Sequence, residues 1–171
     1  MLKPDNDENI TLNFHEACKR GDLDKVTNLL QRKEEIDVKQ LDKKFTLGRT
    51  VQNEDSGIVQ SLLRIGINVN QKHSPTGIRP LHYACAAWGN LAIAKILLDN
   101  GADINATDKC YNRTALHFAV SNKKTSITKL LLKYGCKTNV KNHRGHTALE
   151  LAMKKGYVDV MKQLAFNNKN I

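Results

Sequence analysis

The stretch RTALHFAVSNKKTSITKLLLKYG, residues 113–135, decides the fold. Its first half sets Leu116, Phe118 and Ala119 close together among small residues, as on a short helix. Its second half puts Ile127, Leu130 and Leu131 at helical spacing, forming an apolar stripe. Gly135 follows, consistent with a left-handed residue that ends the second helix. Two short helices cannot cover such a stripe between them, so neighbouring units must stack against it.

Working outward, the same pattern returns on both sides. Residues 78–106 read IRPLHYACAAWGNLAIAKILLDNGADINA, and residues 145–164 read GHTALELAMKKGYVDVMKQL. An earlier copy, LNFHEACKRGDLDKVTNLLQRKEEIDV at 12–38, carries Phe14 where the others carry leucine. Gly66, Gly101 and Gly135 mark the period, with spacings of 35 and 34 residues. A period of this size is that of a repeat array.

RPLHYA, RTALHFA and HTALELA, followed by ILLDNGADINA and LLLKYGCKTNV, resemble the ankyrin repeat and its T-P-L-H-x-A signature. The resemblance covers roughly residues 7–167. It implies an all-α ankyrin-repeat solenoid, with stacked helix-turn-helix units joined by β-hairpin-like loops. The whole chain, 1–171, is then one domain. Its units fall at about 7–39, 40–72, 73–106, 107–140 and 141–167, the second being degenerate. In that second unit GIVQSLLRIGINVN (57–70) fits well, but no leucine-histidine-alanine pattern precedes it. Starting the unit at Gly48-Arg49-Thr50 shortens its first helix by more than one turn and moves the surplus into the loop VKQLDKKFTL (38–47). The rival register, with Leu47 in the leucine position, buries Gly48 and Thr50 in a helix, where both are poor formers. The shortened helix is the expectation.

His15, His82 and His117 occupy one position in three units. A catalytic histidine is usually single and held against a nucleophile, so the repetition points to structure. The ankyrin resemblance implies that this histidine bonds to backbone and ties adjacent units together. Glu150 stands there in the last unit, which needs another arrangement. Cys18 and Cys85 follow the helix alanine and read as packing residues, whereas Cys110 and Cys136 fall in or near loops and read as accessible. No C-x-x-C pair exists, and His82 with Cys85 offers two ligands where zinc takes four. Asp103 and Asp108 read as turn-shaping carboxylates. No phosphate-binding, dinucleotide or serine-elbow motif occurs, so the expectation is no enzyme, no metal and no cofactor.

The opening MLKPDNDENI has no apolar run or cleavage pattern, and no stretch is apolar enough to span a membrane. Without a secretory leader the four cysteines belong to a reducing compartment, cytoplasmic or nuclear. The net charge of +10 is spread over scattered pairs such as Lys43-Lys44 and Lys123-Lys124. This suits a solvated surface better than a nucleic-acid tract, and the aromatics that stack bases are few.

The expected function is a non-catalytic protein-protein interaction module, monomeric by itself: an adaptor, or a regulatory or inhibitory subunit. Ankyrin proteins meet partners at the hairpin tips and the exposed face of the first helices. The resemblance therefore marks Ile78, Tyr111, Arg113, Arg144 and His146 at the tips, with Lys19, Arg20, Trp88, Lys154 and Lys155 on the helices. Trp88 sits beside an extra residue in its unit, and either contacts a partner or packs over the degenerate second unit. A shortened helix in the second unit is also similar to the small cyclin-dependent-kinase inhibitors, which makes regulation of a cell-cycle kinase the alternative. A transcription factor is a further partner class, and charge-driven nucleic-acid binding the lesser alternative.

Overall fold

The computed structural model describes residues 10–44, 46–73, 75–86 and 89–169, the last three as backbone only. Trp88 lies outside the described residues. The chain forms helices α1 (Ile10–Arg20), α2 (Leu23–Leu29), α3 (Val38–Lys43), α4 (Thr46–Gln52), α5 (Ser56–Arg64) and α6 (Pro80–Ala84). These are followed by α7 (Leu91–Asp99), α8 (Ala115–Ser121), α9 (Thr125–Lys133), α10 (Ala148–Lys154) and α11 (Val158–Lys169). No strand occurs among the described residues, only an isolated antiparallel bridge between His73 and Ile78. The fold is the all-α solenoid that the repeat pattern implies.

Two layers result. The first helices stack in the order α1, α4, α6, α8, α10, and the second helices in the order α2, α5, α7, α9, α11. Between the layers runs one continuous core, in which Phe14, Leu47, Ile58, Leu62, Ile93, Leu97, Leu116 and Leu131 are fully buried. Each leucine or isoleucine so buried stabilises by roughly 1.5–3 kcal/mol, shared between its own unit and the neighbours stacked on it.

Local chemistry sets the helix ends. Asp22, Asp55 and Asn90 cap the second helices, their side chains accepting from Lys25 N (2.9 Å), Ile58 N (2.9 Å) and Ala92 N (3.0 Å). At the other end Gly101, at φ +83°, lets Ala102 N turn back to Leu97 O at 3.0 Å, and Gly135 does the same for Cys136 N and Leu131 O at 3.2 Å.

The second unit departs from expectation. Its first helix, α4, is not shortened: it runs seven residues, the length of α8 and α10, with Leu47 in the leucine position. Gly48 and Thr50 are buried inside it, and the Thr50 hydroxyl donates to Thr46 O at 3.0 Å. Their poor propensity, about 1 kcal/mol for glycine, is outweighed by what the register buries, Leu47 and Val51. Small residues also suit a helix packed between α1 and α6. The preceding segment is no plain loop either. It folds as α3, capped by Asp37 on Gln40 N (3.1 Å), and drives Leu41 into the core.

Candidate partner-binding surface

The hairpins between units form a joined row. Within them His73 N donates to Ile78 O (2.8 Å), Asp108 N to Arg113 O (3.0 Å) and Asn142 N to His146 O (2.9 Å). Between them Lys109 N donates to Thr76 O (2.8 Å) and His143 N to Tyr111 O (2.9 Å). Gly77 makes the first junction possible: at φ +69°, a Cβ there would stand 2.6 Å from the Lys109 side chain.

The repeated histidines anchor the helices under this row. His82 Nδ1 accepts from Arg79 N at 3.0 Å, which leaves Nε2–H to donate to Ala106 O of the next hairpin at 3.0 Å. His117 repeats the device with Thr114 N (3.2 Å) and His146 O (3.2 Å). His15 differs. Its Nδ1 meets the Thr46 hydroxyl at 2.8 Å, and that hydroxyl donates onward to Leu41 O at 2.9 Å, so Nδ1 carries the proton. In the last unit Glu150 accepts from Thr147 N at 2.7 Å and closes a capping box.

The Asp108–Arg113 pair stiffens the central tip. Asp108 Oδ1 accepts from Arg113 N at 2.6 Å, while Oδ2 takes Arg113 Nη2 at 2.9 Å and Nε at 3.2 Å. The carboxylate is wholly buried and the guanidinium 30% exposed. The same guanidinium lies 4.2 Å from the Phe118 ring centroid and 4.7 Å from that of Tyr111. Arg113 is thus engaged within the fold. Asp103 shapes its turn as expected, accepting from Asn105 N at 3.2 Å.

Of the other sequence-derived positions, Tyr111 is exposed, its ring 4.9 Å from His143 on the adjacent tip. Arg144 is exposed on that same tip, and Ile78 is half-buried in its bridge. His146 is half-buried, with Nε2 2.8 Å from Lys154 Nζ on α10. Lys155 Nζ reaches Ser121 O at 3.3 Å. Tyr111, Arg113, Arg144, His146 and Lys154 therefore sit on adjoining tips and the helix beside them. Lys19 and Arg20 stand apart at the end of α1, exposed, with Lys19 3.7 Å from Glu16.

An asparagine ladder escaped the sequence reading. Asn70 Oδ1 accepts from Asp103 N and Asn105 Oδ1 from Lys137 N, both at 2.8 Å, each bridging to the next unit. The signal was present, since Asn70, Asn105 and Asn139 share the period of the glycines.

Among the cysteines only Cys110 is exposed, so Cys136 is not the accessible loop thiol expected. Its side chain turns inward behind Gly135, and burial pushes its pKa up to about 11. Burial likewise raises Cys18 to about 12 and drives Cys85 higher still, and protonated thiols are poor nucleophiles. A thiol reagent should accordingly titrate one cysteine in the native protein and four after denaturation. Two or more fast-reacting thiols in the native state would contradict this packing.

Among the described residues no helix is long and apolar enough to cross a membrane. The family model for ankyrin repeats (3 copies) matches residues 14–108 and 106–171. The ankyrin repeat protein FPV031 of Fowlpox virus is 32% identical over 109 residues, 63% of this chain and 32% of its own length. A second fowlpox protein, FPV034, is 32% identical over 125 residues, 73% of this chain and 29% of its own. Mouse Rabankyrin-5 is 32% identical over 119 residues, 63% of this chain and 10% of its own. The chain thus spans a third or less of the length of these relatives. Matched by the family model along nearly all of its helix pairs, the chain belongs to the ankyrin-repeat family.

Proposed function

We propose that the protein is a non-catalytic binding module that engages a partner protein through its hairpin tips and first-helix layer. The observation that carries this reading is the joined row of tips. It presents exposed Tyr111 and Arg144 on a backbone held rigid by inter-unit hydrogen bonds. Aromatic and arginine side chains on a preorganised surface are the types that dominate binding energy. The residues with chemical potential serve the scaffold instead: His82 and His117 bridge units, and Cys18 and Cys85 pack in the core. The module acts by occupying a partner's surface, as an adaptor or as an inhibitory subunit. With α4 at full length, the shortened second-unit helix that made the chain similar to the small kinase inhibitors is absent.

Affinity capture from the native cell tests the reading, comparing wild type with a Tyr111→Ala/Arg144→Ala double variant and with Trp88→Ala. Loss of an anchor should weaken capture by about 2 kcal/mol or more, while the thermal midpoint stays near that of wild type. Undiminished capture by both variants would remove this surface from consideration.

A further inference from the structure

Toward the α1 end of the array lies an open cleft of about 410 Å³. Five cationic side chains line it: Lys19 from α1, Lys43 and Lys44 from the end of α3, Arg49 from α4 and Lys72 from the next hairpin. His15 and His73 also line it, and no carboxylate does so among the described residues. Among the described residues the one ion-pair partner of Lys19 is the solvent-exposed Glu16, at 3.7 Å, and such pairs hold a cation weakly. The nearby Asp42 is occupied, its Oδ1 accepting from Asn68 N and Gln71 Nε2. The local field registers on His15: burial first, then Lys44, Arg49 and Lys19, lower its pKa against the opposing pull of Glu16. The cations come from separate stretches of chain, so the concentration of charge exists only in the folded protein.

We infer that this cleft binds an acidic segment of the partner protein, a run of aspartate and glutamate side chains laid across Lys19, Lys44, Arg49 and Lys72. The inference deepens the proposed function and rests on the protein being a binding module. Charge complementarity sets the sign of the occupant. Its class follows from the lining. Lysine heads on flexible stems are point charges suited to several separate carboxylates, and the volume admits several side chains. A single-stranded nucleic acid needs stacking rings between its basic contacts, and none of the described residues lining this cleft is Phe, Tyr or Trp.

The test uses the full chain and fluorescence anisotropy of a fluorescein-labelled Glu-Asp repeat peptide. Its Gln-Asn counterpart and a single-stranded oligothymidine run alongside. A Lys44→Gln/Arg49→Gln/Lys72→Gln variant is compared with Lys129→Gln/Lys133→Gln/Lys162→Gln, which removes equal charge from α9 and α11. Circular dichroism checks that both remain folded. The acidic peptide should bind, more weakly as salt rises, and the Gln-Asn peptide should not. The cleft variant should lose about tenfold in affinity, because each exposed ion pair contributes a factor of roughly two to five, while the α9–α11 variant stays close to wild type. Equal loss in both variants, or no binding of the acidic peptide, would overturn the inference. So would tighter binding of oligothymidine that the cleft variant abolishes, which would make the cleft a nucleic-acid site. Tyr111→Ala/Arg144→Ala should leave peptide affinity unchanged, so failure at the cleft and failure at the tips are read separately.

Discussion

Arg113→Ala should destabilise the protein by about 3 kcal/mol, near the lower end of what breaking a buried ion pair costs. The carboxylate of Asp108 has no exposed side-chain surface, and among the described residues Arg113 supplies its only side-chain donors. Truncation leaves that charge with the single backbone donor, Arg113 N, and forfeits the contacts with Phe118 and Tyr111. The partial exposure of the guanidinium admits water and keeps the loss at the lower end. Because stability in a repeat array is a sum of local terms, the effect should concentrate at the boundary around the 108–113 hairpin. Urea unfolding of Arg113→Ala, Asp108→Ala and the double variant measures the coupling. The double variant should recover part of the loss, since no buried charge is stranded in it. A single-variant loss below about 0.5 kcal/mol would reduce the pair to an ordinary surface salt bridge.

His82→Ala should cost about 3 kcal/mol, because the part-buried Arg79 N and the buried Ala106 O lose their partner together. The ring stacked on Phe118 at 5.2 Å is lost as well. Glu150→Ala, at the equivalent position in the last unit, removes an exposed capping contact and should cost about 1 kcal/mol. Acid should act on the same histidines. Burial lowers the pKa of His82, His117 and His15 below 6.5, so the fold holds them neutral. The unfolded chain takes up protons near 6.5 and the folded one only below that. The stability is therefore complete above about 6.5 and declines as pH falls through the lower folded values. Thermal midpoints should drop between about pH 7.5 and pH 5, and His82→Gln should flatten the decline. A midpoint independent of pH over that range would show that these rings do not titrate on unfolding.

Where sequence and structure part company, the cause is specific. The position of His82 and His117 was legible because a buried polar group must be satisfied in every unit, and repetition exposes that need. His15 occupies the same position but bonds to a side chain, Thr46, whose place depends on the register of α4. That register could not be read from Gly48 and Thr50, because propensity counts about a kilocalorie while the burial of Leu47 depends on which helices flank it. The face of Cys136 was hidden for a similar reason: the turn after Gly135 decides whether the thiol points in or out.

The sequence by itself determined the architecture, since an apolar stripe recurring every 34 or 35 residues can be covered only by stacking, and Gly66, Gly101 and Gly135 mark the ends of three second helices. Only the tertiary structure decided which polar groups remain for a partner. It drew Arg113 back onto Asp108, left Tyr111 and Arg144 exposed on joined tips, and gathered Lys19, Lys43, Lys44, Arg49 and Lys72 around one cleft. The physical reason is that periodicity fixes which residues are buried along one helix. Charge proximity depends on distances between units, and those are set by packing.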